Sequence, residues 1–159
     1  MSYERLTPRE DAALAALIRQ ILKAHGLDIP GTAYFDEALD HLSAFYSAAP
    51  GKRAYFVLKE GDVLLGGIGL AEFPDLPDCA ELQKLYLAEA ARGRGLGYEM
   101  ISRVEAEARR LGYRQIYLET HSNLQAAIHI YEKSGYEEIP RPASVVHSTM
   151  NRFYRKSLT

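Results

Sequence analysis

The sequence predicts a mixed α/β fold in which seven strands and four helices follow the order β-α-α-β-β-β-α-β-α-β-β. Two observations carry this prediction. Apolar residues recur with helical spacing in some segments and form strand-like runs in others, and glycine or proline marks the boundaries between them. The chain of 159 residues is long enough for one hydrophobic core, so we expect a single domain over residues 1–159.

The composition is that of a soluble globular protein, with 47% hydrophobic and 25% charged residues. The net charge of −2 supplies no basic field for nucleic acid. No apolar run approaches the roughly 18 residues that span a bilayer, and the N-terminus lacks the apolar core of a signal peptide. Cys79 is the only cysteine, which excludes an internal disulfide and fits a reducing compartment. We therefore expect a cytoplasmic protein with no nucleic-acid or membrane partner.

The N-terminal segment predicts a strand over residues 3–6 followed by two helices. Thr7 and Glu10 have the spacing of a capping box at the start of the first helix, and Gly26 is a stop signal after it. Helical spacing relates five apolar residues between these signals: Leu14, Leu17, Ile18, Ile21 and Leu22. A second helix is predicted over residues 36–47.

A hairpin is predicted next, with strands over residues 54–59 and 63–71 joined by a turn at Gly61. The second strand carries no side chains at Gly66, Gly67 and Gly69, which is typical of a bulge or of a close neighbour. A further strand is predicted over residues 79–87.

The second half of the chain alternates helices and strands. A helix with an apolar face at Met100 and Val104 ends at Gly112, and a strand follows over residues 115–119. Ser122 and Gln125 have the spacing of a second capping box, and Gly135 ends the helix that follows. Strands are then predicted over residues 136–139 and 148–156.

A loop of alternating arginine and glycine, Arg92-Gly93-Arg94-Gly95-Leu96-Gly97, lies between a predicted strand and a predicted helix. Glycines allow backbone N–H groups to approach a phosphate, and the helix N-terminus adds positive potential. A P-loop is excluded because Tyr98 stands where that motif has lysine. The glycine period and the position past mid-chain also argue against a dinucleotide fingerprint.

The surroundings of this loop resemble the GNAT superfamily of acetyl-CoA-dependent N-acetyltransferases. The resemblance rests on the strand at residues 80–87, on the loop at residues 91–97 and on the pattern Asn123-x-x-Ala126-Ala127-x-x-x-Tyr131-Glu132-Lys133-Ser134-Gly135-Tyr136. It implies a mixed, mostly antiparallel sheet of about seven strands that splays at a bulge and is flanked by about four helices. It also implies acetyl-CoA as the co-substrate, and no metal.

The resemblance implies that the loop binds the coenzyme A pyrophosphate and that pantetheine lies against the strand ending at Leu87. The implied cofactor-binding residues are Leu85, Tyr86, Leu87, Arg92, Gly93, Arg94, Gly95, Leu96, Gly97, Tyr98, Asn123, Ala127 and Tyr131. Alternatives remain for some of them. Arg92 and Arg94 can also be solvated side chains, and Asn123 can also be a capping residue at the following helix.

Two catalytic residues are implied by the resemblance. Tyr131 matches the tyrosine that protonates the departing thiolate, and its alternative role is a core aromatic. Glu81 matches a position at which some members carry the general base that accepts a proton from the amine, and its alternative is a solvated carboxylate. Glu119 and Glu72 are further candidates for this base.

The acceptor site of this fold is implied to lie between the first two helices and the last strands. Residues there include Tyr34, Phe35, Asp36, His147, Asn151 and Tyr154. The expected reaction is direct transfer of an acetyl group to a primary amine of a small molecule or amino acid in a ternary complex. A protein or peptide acetyltransferase and a non-catalytic acyl-CoA-binding module stay open as alternatives, as does a homodimer.

Overall fold

The computed structural model describes residues 1–146 and 148–159 and contains one mixed seven-stranded sheet. Its strands are β1 (Ser2–Arg5), β2 (Ala54–Glu60), β3 (Val63–Glu72), β4 (Cys79–Leu87), β5 (Gln115–Thr120), β6 (Glu137–Ile139) and β7 (Arg152–Ser157). The helices are α1 (Asp11–Ala24), α2 (Leu42–Ser47), α3 (Leu96–Arg110) and α4 (Gln125–Lys133). The predicted fold class and element order are confirmed. None of these helices is long and apolar enough to cross a membrane.

The strands follow the order β1-β2-β3-β4-β5-β7-β6, and neighbours are antiparallel except for β4 and β5. The parallel pair is short, because only Cys79–Glu81 of β4 lies opposite Gln115–Tyr117 of β5. Beyond this ladder the two strands separate while both continue towards their C-terminal ends. The splay expected from the resemblance is therefore present, and it opens a gap in the middle of the sheet.

A bulge in β4 accompanies the splay. Gly67 of β3 lies opposite Tyr86 and Gly69 lies opposite Gln83, so β4 contains one more residue than β3 between these pairs. Lys84 takes up the extra length with a φ of 51°, a left-handed conformation that costs a non-glycine residue energy. The Tyr55 hydroxyl donates a 2.7 Å hydrogen bond to the Lys84 carbonyl oxygen, which holds the bulge in place.

Helices cover both faces of the sheet. On one face α3 and α4 bury residues such as Met100 and Ile128 against Leu82. On the other face α1 and α2 bury Ile18 and Tyr46 against the first strands. Side chains of a strand alternate between the two faces, so the splayed end of β4 contributes lining to both.

The predicted helix over residues 36–47 is wrong in its first half. Glu37–His41 forms a 3₁₀ helix, and the α-helix begins only at Leu42. The Asp11 carboxylate of α1 accepts a hydrogen bond from the backbone N–H of Ser43 at 2.9 Å. The Ser43 N–H therefore has its partner outside α2 and not on a carbonyl of a preceding helical turn. A regular helix therefore starts at this point and not earlier.

The predicted capping box at Ser122 and Gln125 is also wrong, because Leu124 occupies the N-cap position without a side-chain cap. The side chain of Asn151 occupies the groups of Ser122 that a cap would use. Its Oδ1 accepts a hydrogen bond from the Ser122 N–H, and its Nδ2 donates one to the Ser122 hydroxyl. The last strand begins at Arg152 and not at residue 148, since the Ser148 hydroxyl accepts the Met150 N–H and forms a turn.

Candidate active site

A cleft with a cavity volume of about 440 Å³ lies where β4 and β5 separate. The splayed half of β4 forms one wall, the end of β5 and helix α4 form the other, and the arginine–glycine loop closes one end. Most of the predicted cofactor-binding residues line it: Leu85, Tyr86, Leu87, Arg92, Gly93, Gly95, Leu96, Gly97, Tyr98, Ala127 and Tyr131. The structure thus brings together residues that are far apart in the sequence.

The arginine–glycine loop ends in the first turn of α3. Gly93 and Gly95 have φ values of 75° and 73°, and a Cβ at either would meet nothing within 4 Å. Backbone conformation is therefore the reason for these two glycines. The first helical hydrogen bond joins the N–H of Glu99 to the Gly95 carbonyl, so the preceding N–H groups of α3 are available to an anion.

Position 97 requires glycine for a different reason, namely close packing. A Cβ there would lie 2.7 Å from Cδ1 of Ile130, so the absence of a side chain lets α3 pack closely against α4. The two arginines of the loop also differ. Arg92 lines the cleft, whereas Arg94 points away from it and lies 3.4 Å from the Glu60 carboxylate.

Backbone groups of β4 face the cleft. Ala88 donates its N–H to the Leu65 carbonyl oxygen at 2.7 Å, and Gly66 lies opposite Leu87. Because hydrogen bonding alternates along an antiparallel ladder, the N–H and C=O of Leu87 point away from β3 and into the gap. An extended chain with amide groups can pair with them as an added strand does.

Tyr131 is 5% exposed and lines the cleft from α4. Burial raises the pKa of its phenol well above the usual value, and the nearby Tyr86 adds to the rise. Within the described part of the chain its hydroxyl has no hydrogen-bond partner. The group therefore holds its proton at neutral pH and is free to donate it to a molecule in the cleft.

Glu81 is the last residue of β4 in the parallel ladder with β5, and it lies outside the lining of the cavity itself. Burial raises the pKa of its carboxyl from 4.5 to about 7, and the Glu119 carboxylate contributes to the rise. A hydrogen bond from Gln83 Nε2, 2.9 Å from Glu81 Oε1, acts in the opposite direction. A carboxyl with this pKa can take up and release a proton near neutral pH.

Sequence reasoning missed several residues of this site. His25, which directly follows α1, lines the cleft, and its Nδ1 donates to the Ile21 carbonyl at 2.8 Å. Asn123 lies outside the cavity lining and donates its Nδ2 to the His25 carbonyl at 3.0 Å, which ties α1 to the turn before α4. No sequence signal pairs these two positions, because 98 residues separate them.

The expected acceptor residues are only partly brought together. Phe35 is exposed beside Tyr34, with ring centroids 5.0 Å apart, while Tyr154 is buried on the α4 side and donates its hydroxyl to Glu132. His147 lies outside the described residues.

Glu119, a further candidate base, lines the cleft and accepts hydrogen bonds from Tyr117 and Ser148, both at 2.9 Å. The described residues contain no group of three His, Cys, Asp or Glu side chains suited to a metal ion.

Comparison with known proteins explains this architecture. The family model described as the acetyltransferase (GNAT) family matches residues 17–136. The chain is a GNAT acetyltransferase. It is also 39% identical over 137 residues to the uncharacterized N-acetyltransferase YjgM of Escherichia coli K12, an alignment that covers 85% of this chain and 81% of YjgM.

Solved structures share the fold of this GNAT acetyltransferase over its whole length. A GNAT-family acetyltransferase from Staphylococcus aureus Mu50 superposes with a TM-score of 0.87 at 21% identity, covering 99% of both chains. The protein yncA from Salmonella typhimurium, solved with its cofactor acetyl-CoA, superposes with a TM-score of 0.76 at 20% identity, covering 100% of this chain and 94% of yncA. The resemblance to the family is therefore confirmed, and the enzyme class is that of acyltransferases.

Proposed function

We propose that this acetyltransferase transfers an acetyl group from acetyl-CoA to the primary amine of a small molecule or amino acid. The observation that carries the proposal is the cleft between β4 and β5, which ends at the arginine–glycine loop and the N-terminus of α3. One end of this cleft suits a pyrophosphate and its wall suits an amide-containing chain. Coenzyme A has both parts in this order.

The residues of the loop and of β4 fit the donor. The free N–H groups at the start of α3, together with the Arg92 guanidinium, would bind the phosphates. The Leu87 N–H and C=O would pair with pantetheine amides, and an N–H in this region would polarise a carbonyl oxygen. When bound, acetyl-CoA supplies an acetyl group activated as a thioester.

Two side chains would move the protons of the transfer. A lysine-like amine has a pKa near ~10.4 and arrives as ammonium, so it must lose a proton before it can attack a thioester. Glu81, whose carboxyl pKa of about 7 suits a base at neutral pH, would accept this proton directly or through water. Tyr131 would donate its phenolic proton to the sulfur as the C–S bond breaks.

A thiol-release assay with acetyl-CoA tests the proposal. The wild-type enzyme is offered a panel of small amines, amino acids and peptides, and we expect amine-dependent release of coenzyme A with a small amine or amino acid. Release with peptides alone would favour a peptide acetyltransferase instead. Tight binding of coenzyme A without release on any acceptor would favour an acyl-CoA-binding module.

Tyr131→Phe tests the proton donor. We expect kcat to fall about 10²- to 10³-fold while the Kd for coenzyme A changes little. Tyr113→Phe is the matched control, because its hydroxyl donates to the Lys52 carbonyl at an exposed position. An unchanged kcat in Tyr131→Phe would remove the acid role of this tyrosine.

A further inference from the structure

Two tyrosine rings pack on the glycine-rich part of β3. A Cβ on Gly67 would lie 2.5 Å from the Tyr55 hydroxyl oxygen, and a Cβ on Gly69 would lie 2.8 Å from that of Tyr46. Both tyrosines are almost fully buried, and their ring centroids are 5.1 Å apart. Each ring thus packs closely against a part of β3 that carries no side chain, and each hydroxyl reaches across to β4.

The two hydroxyls end on neighbouring residues of the bulged strand. Tyr55 donates to the Lys84 carbonyl at the bulge, and Tyr46 donates a 2.7 Å hydrogen bond to Gln83 Oε1. Gln83 in turn donates from Nε2 to Glu81 Oε1 at 2.9 Å. A continuous relay therefore runs from Tyr46 through the Gln83 amide to the Glu81 carboxylate.

We propose that Gln83, oriented by the Tyr46 hydroxyl, is a positioning residue that keeps the Glu81 carboxylate ionised and directed for proton uptake from the amine. The inference rests on the proposed role of Glu81 as the base. It assigns a purpose to the glycines of β3, because a side chain at position 69 would displace the hydroxyl at which the relay begins.

The chemistry of the amide explains how the relay works. While Tyr46 donates to Oε1, the Gln83 amide can present only N–H to Glu81, and an N–H favours the ionised carboxylate. After Glu81 takes up a proton, the best partner is Oε1, which becomes available if the amide turns over and Nε2 donates to the Tyr46 oxygen. The relay therefore has one arrangement for each protonation state of Glu81.

Other groups around Glu81 act on it as well. The Glu119 carboxylate opposes ionisation and the Lys84 ammonium, itself 3.9 Å from the Asp36 carboxylate, favours it. Titratable groups that interact with Glu81 from the packed elements are Tyr46 on α2, Cys79 and Lys84 on β4, and Tyr117 and Glu119 on β5. Within the described residues only Gln83 donates a hydrogen bond to the Glu81 carboxylate, so its removal is a specific perturbation.

The test compares Gln83→Leu, Tyr46→Phe and Glu81→Gln with wild type, and Tyr113→Phe is the control for loss of a phenol elsewhere. Two quantities are measured: the midpoint of the Glu81 carboxyl titration by ¹³C NMR in the free enzyme, and the acid limb of kcat/KM against pH with the best amine. Glu81→Gln identifies the NMR signal and the limb that belong to Glu81.

Gln83→Leu should move both midpoints upward by about one pH unit, because a hydrogen bond to the charged form is lost. Tyr46→Phe should move them less in the same direction, and Tyr113→Phe should leave them unchanged. Midpoints that stay at the wild-type value in Gln83→Leu overturn the inference. If that variant does not fold, the nearly isosteric Tyr46→Phe decides by the same criterion.

Different results would contradict the base role of Glu81 and the positioning role of Gln83. A limb that persists in Glu81→Gln removes the proposed base, whatever Gln83 does to the carboxyl titration. A limb that disappears in Glu81→Gln, together with midpoints that do not respond to Gln83→Leu or Tyr46→Phe, removes the positioning role alone.

Discussion

Replacing Gly69 with alanine should destabilise the fold, because the space above this residue is filled by two buried rings. The new Cβ would lie 2.6 Å from Tyr55 Cδ2 and 2.8 Å from the Tyr46 hydroxyl oxygen. Both distances are shorter than real Cβ contacts, and neither ring can move away freely, because each hydroxyl is hydrogen-bonded to β4.

Overpacking of this kind costs about 1–3 kcal/mol. Alanine also has less conformational freedom than glycine in the unfolded chain, which favours the folded state by about 0.5–1 kcal/mol and offsets part of this cost. The net loss should be about 1–2 kcal/mol, and for a chain of 159 residues each kcal/mol shifts Tm by about 2–4 °C. We therefore expect Tm to fall by about 2–8 °C in thermal unfolding followed by circular dichroism.

Gly51→Ala is the matched control, because a Cβ at Gly51 meets nothing within 4 Å and its φ is not in the left-handed region. Its Tm should stay at or slightly above the wild-type value. A Tm of Gly69→Ala at or above that of wild type would refute the reasoning, since it would mean that the rings yield without cost.

Three further substitutions have defined outcomes. Glu81→Gln should raise the free energy of unfolding by about 3 kcal/mol at pH 8 and leave it nearly unchanged at pH 4 in urea titrations. The folded-state pKa of the Glu81 carboxyl, about 7, exceeds the unfolded value of 4.5, so the stability of the wild type falls as pH rises between them. Gly95→Ala should weaken coenzyme A binding at least 5-fold by calorimetry, because its φ of 73° strains alanine by about 1 kcal/mol, whereas Gly61→Ala, with a φ of 61° in the β2–β3 turn, should bind normally. Lys156→Met should cost about 3 kcal/mol in urea unfolding, because the buried Glu105 carboxylate would lose the ammonium 2.9 Å away; an unchanged stability would contradict this.

The elements that local signals control were predictable from the sequence. The strand β4 has the predicted bounds Cys79–Leu87, and Gly26, Gly112 and Gly135, which were expected to end helices, all have positive φ values. These features depend on residues close in the chain, namely on apolar patterning and on the conformational freedom of glycine.

The errors and omissions have a common cause in long-range partners. Asp11 takes the Ser43 N–H across 32 residues, and Tyr46 reaches Gln83 across 37 residues. The thinning of β3 by glycines did predict a close neighbour, but the alternation of a strand specifies only a face and not which ring will occupy it. The identity of Tyr46 and Tyr55 therefore needed the structure.

The cleft and the candidate acid and base were expected from the family resemblance, but the geometry that gives them their properties was not. That Leu87 presents its backbone to the gap follows from the ladder register, and the raised pKa of the Glu81 carboxyl follows from burial beside Glu119. Both depend on how β4 and β5 separate in space, which no local pattern of residues determines.

The short parallel ladder between β4 and β5 makes the sheet two panels joined along a seam. Strands β1–β4 belong to one panel and β5–β7 to the other, and three residues of each strand, Cys79–Glu81 and Gln115–Tyr117, connect them. A donor lying in the gap would extend that seam over its open half. Bound at 100 times its Kd, it would add about 2.7 kcal/mol to the unfolding free energy. A bound donor would thus also stabilise the contact between the two halves of the sheet. Hydrogen exchange at the end of β5 should therefore slow when the donor is present.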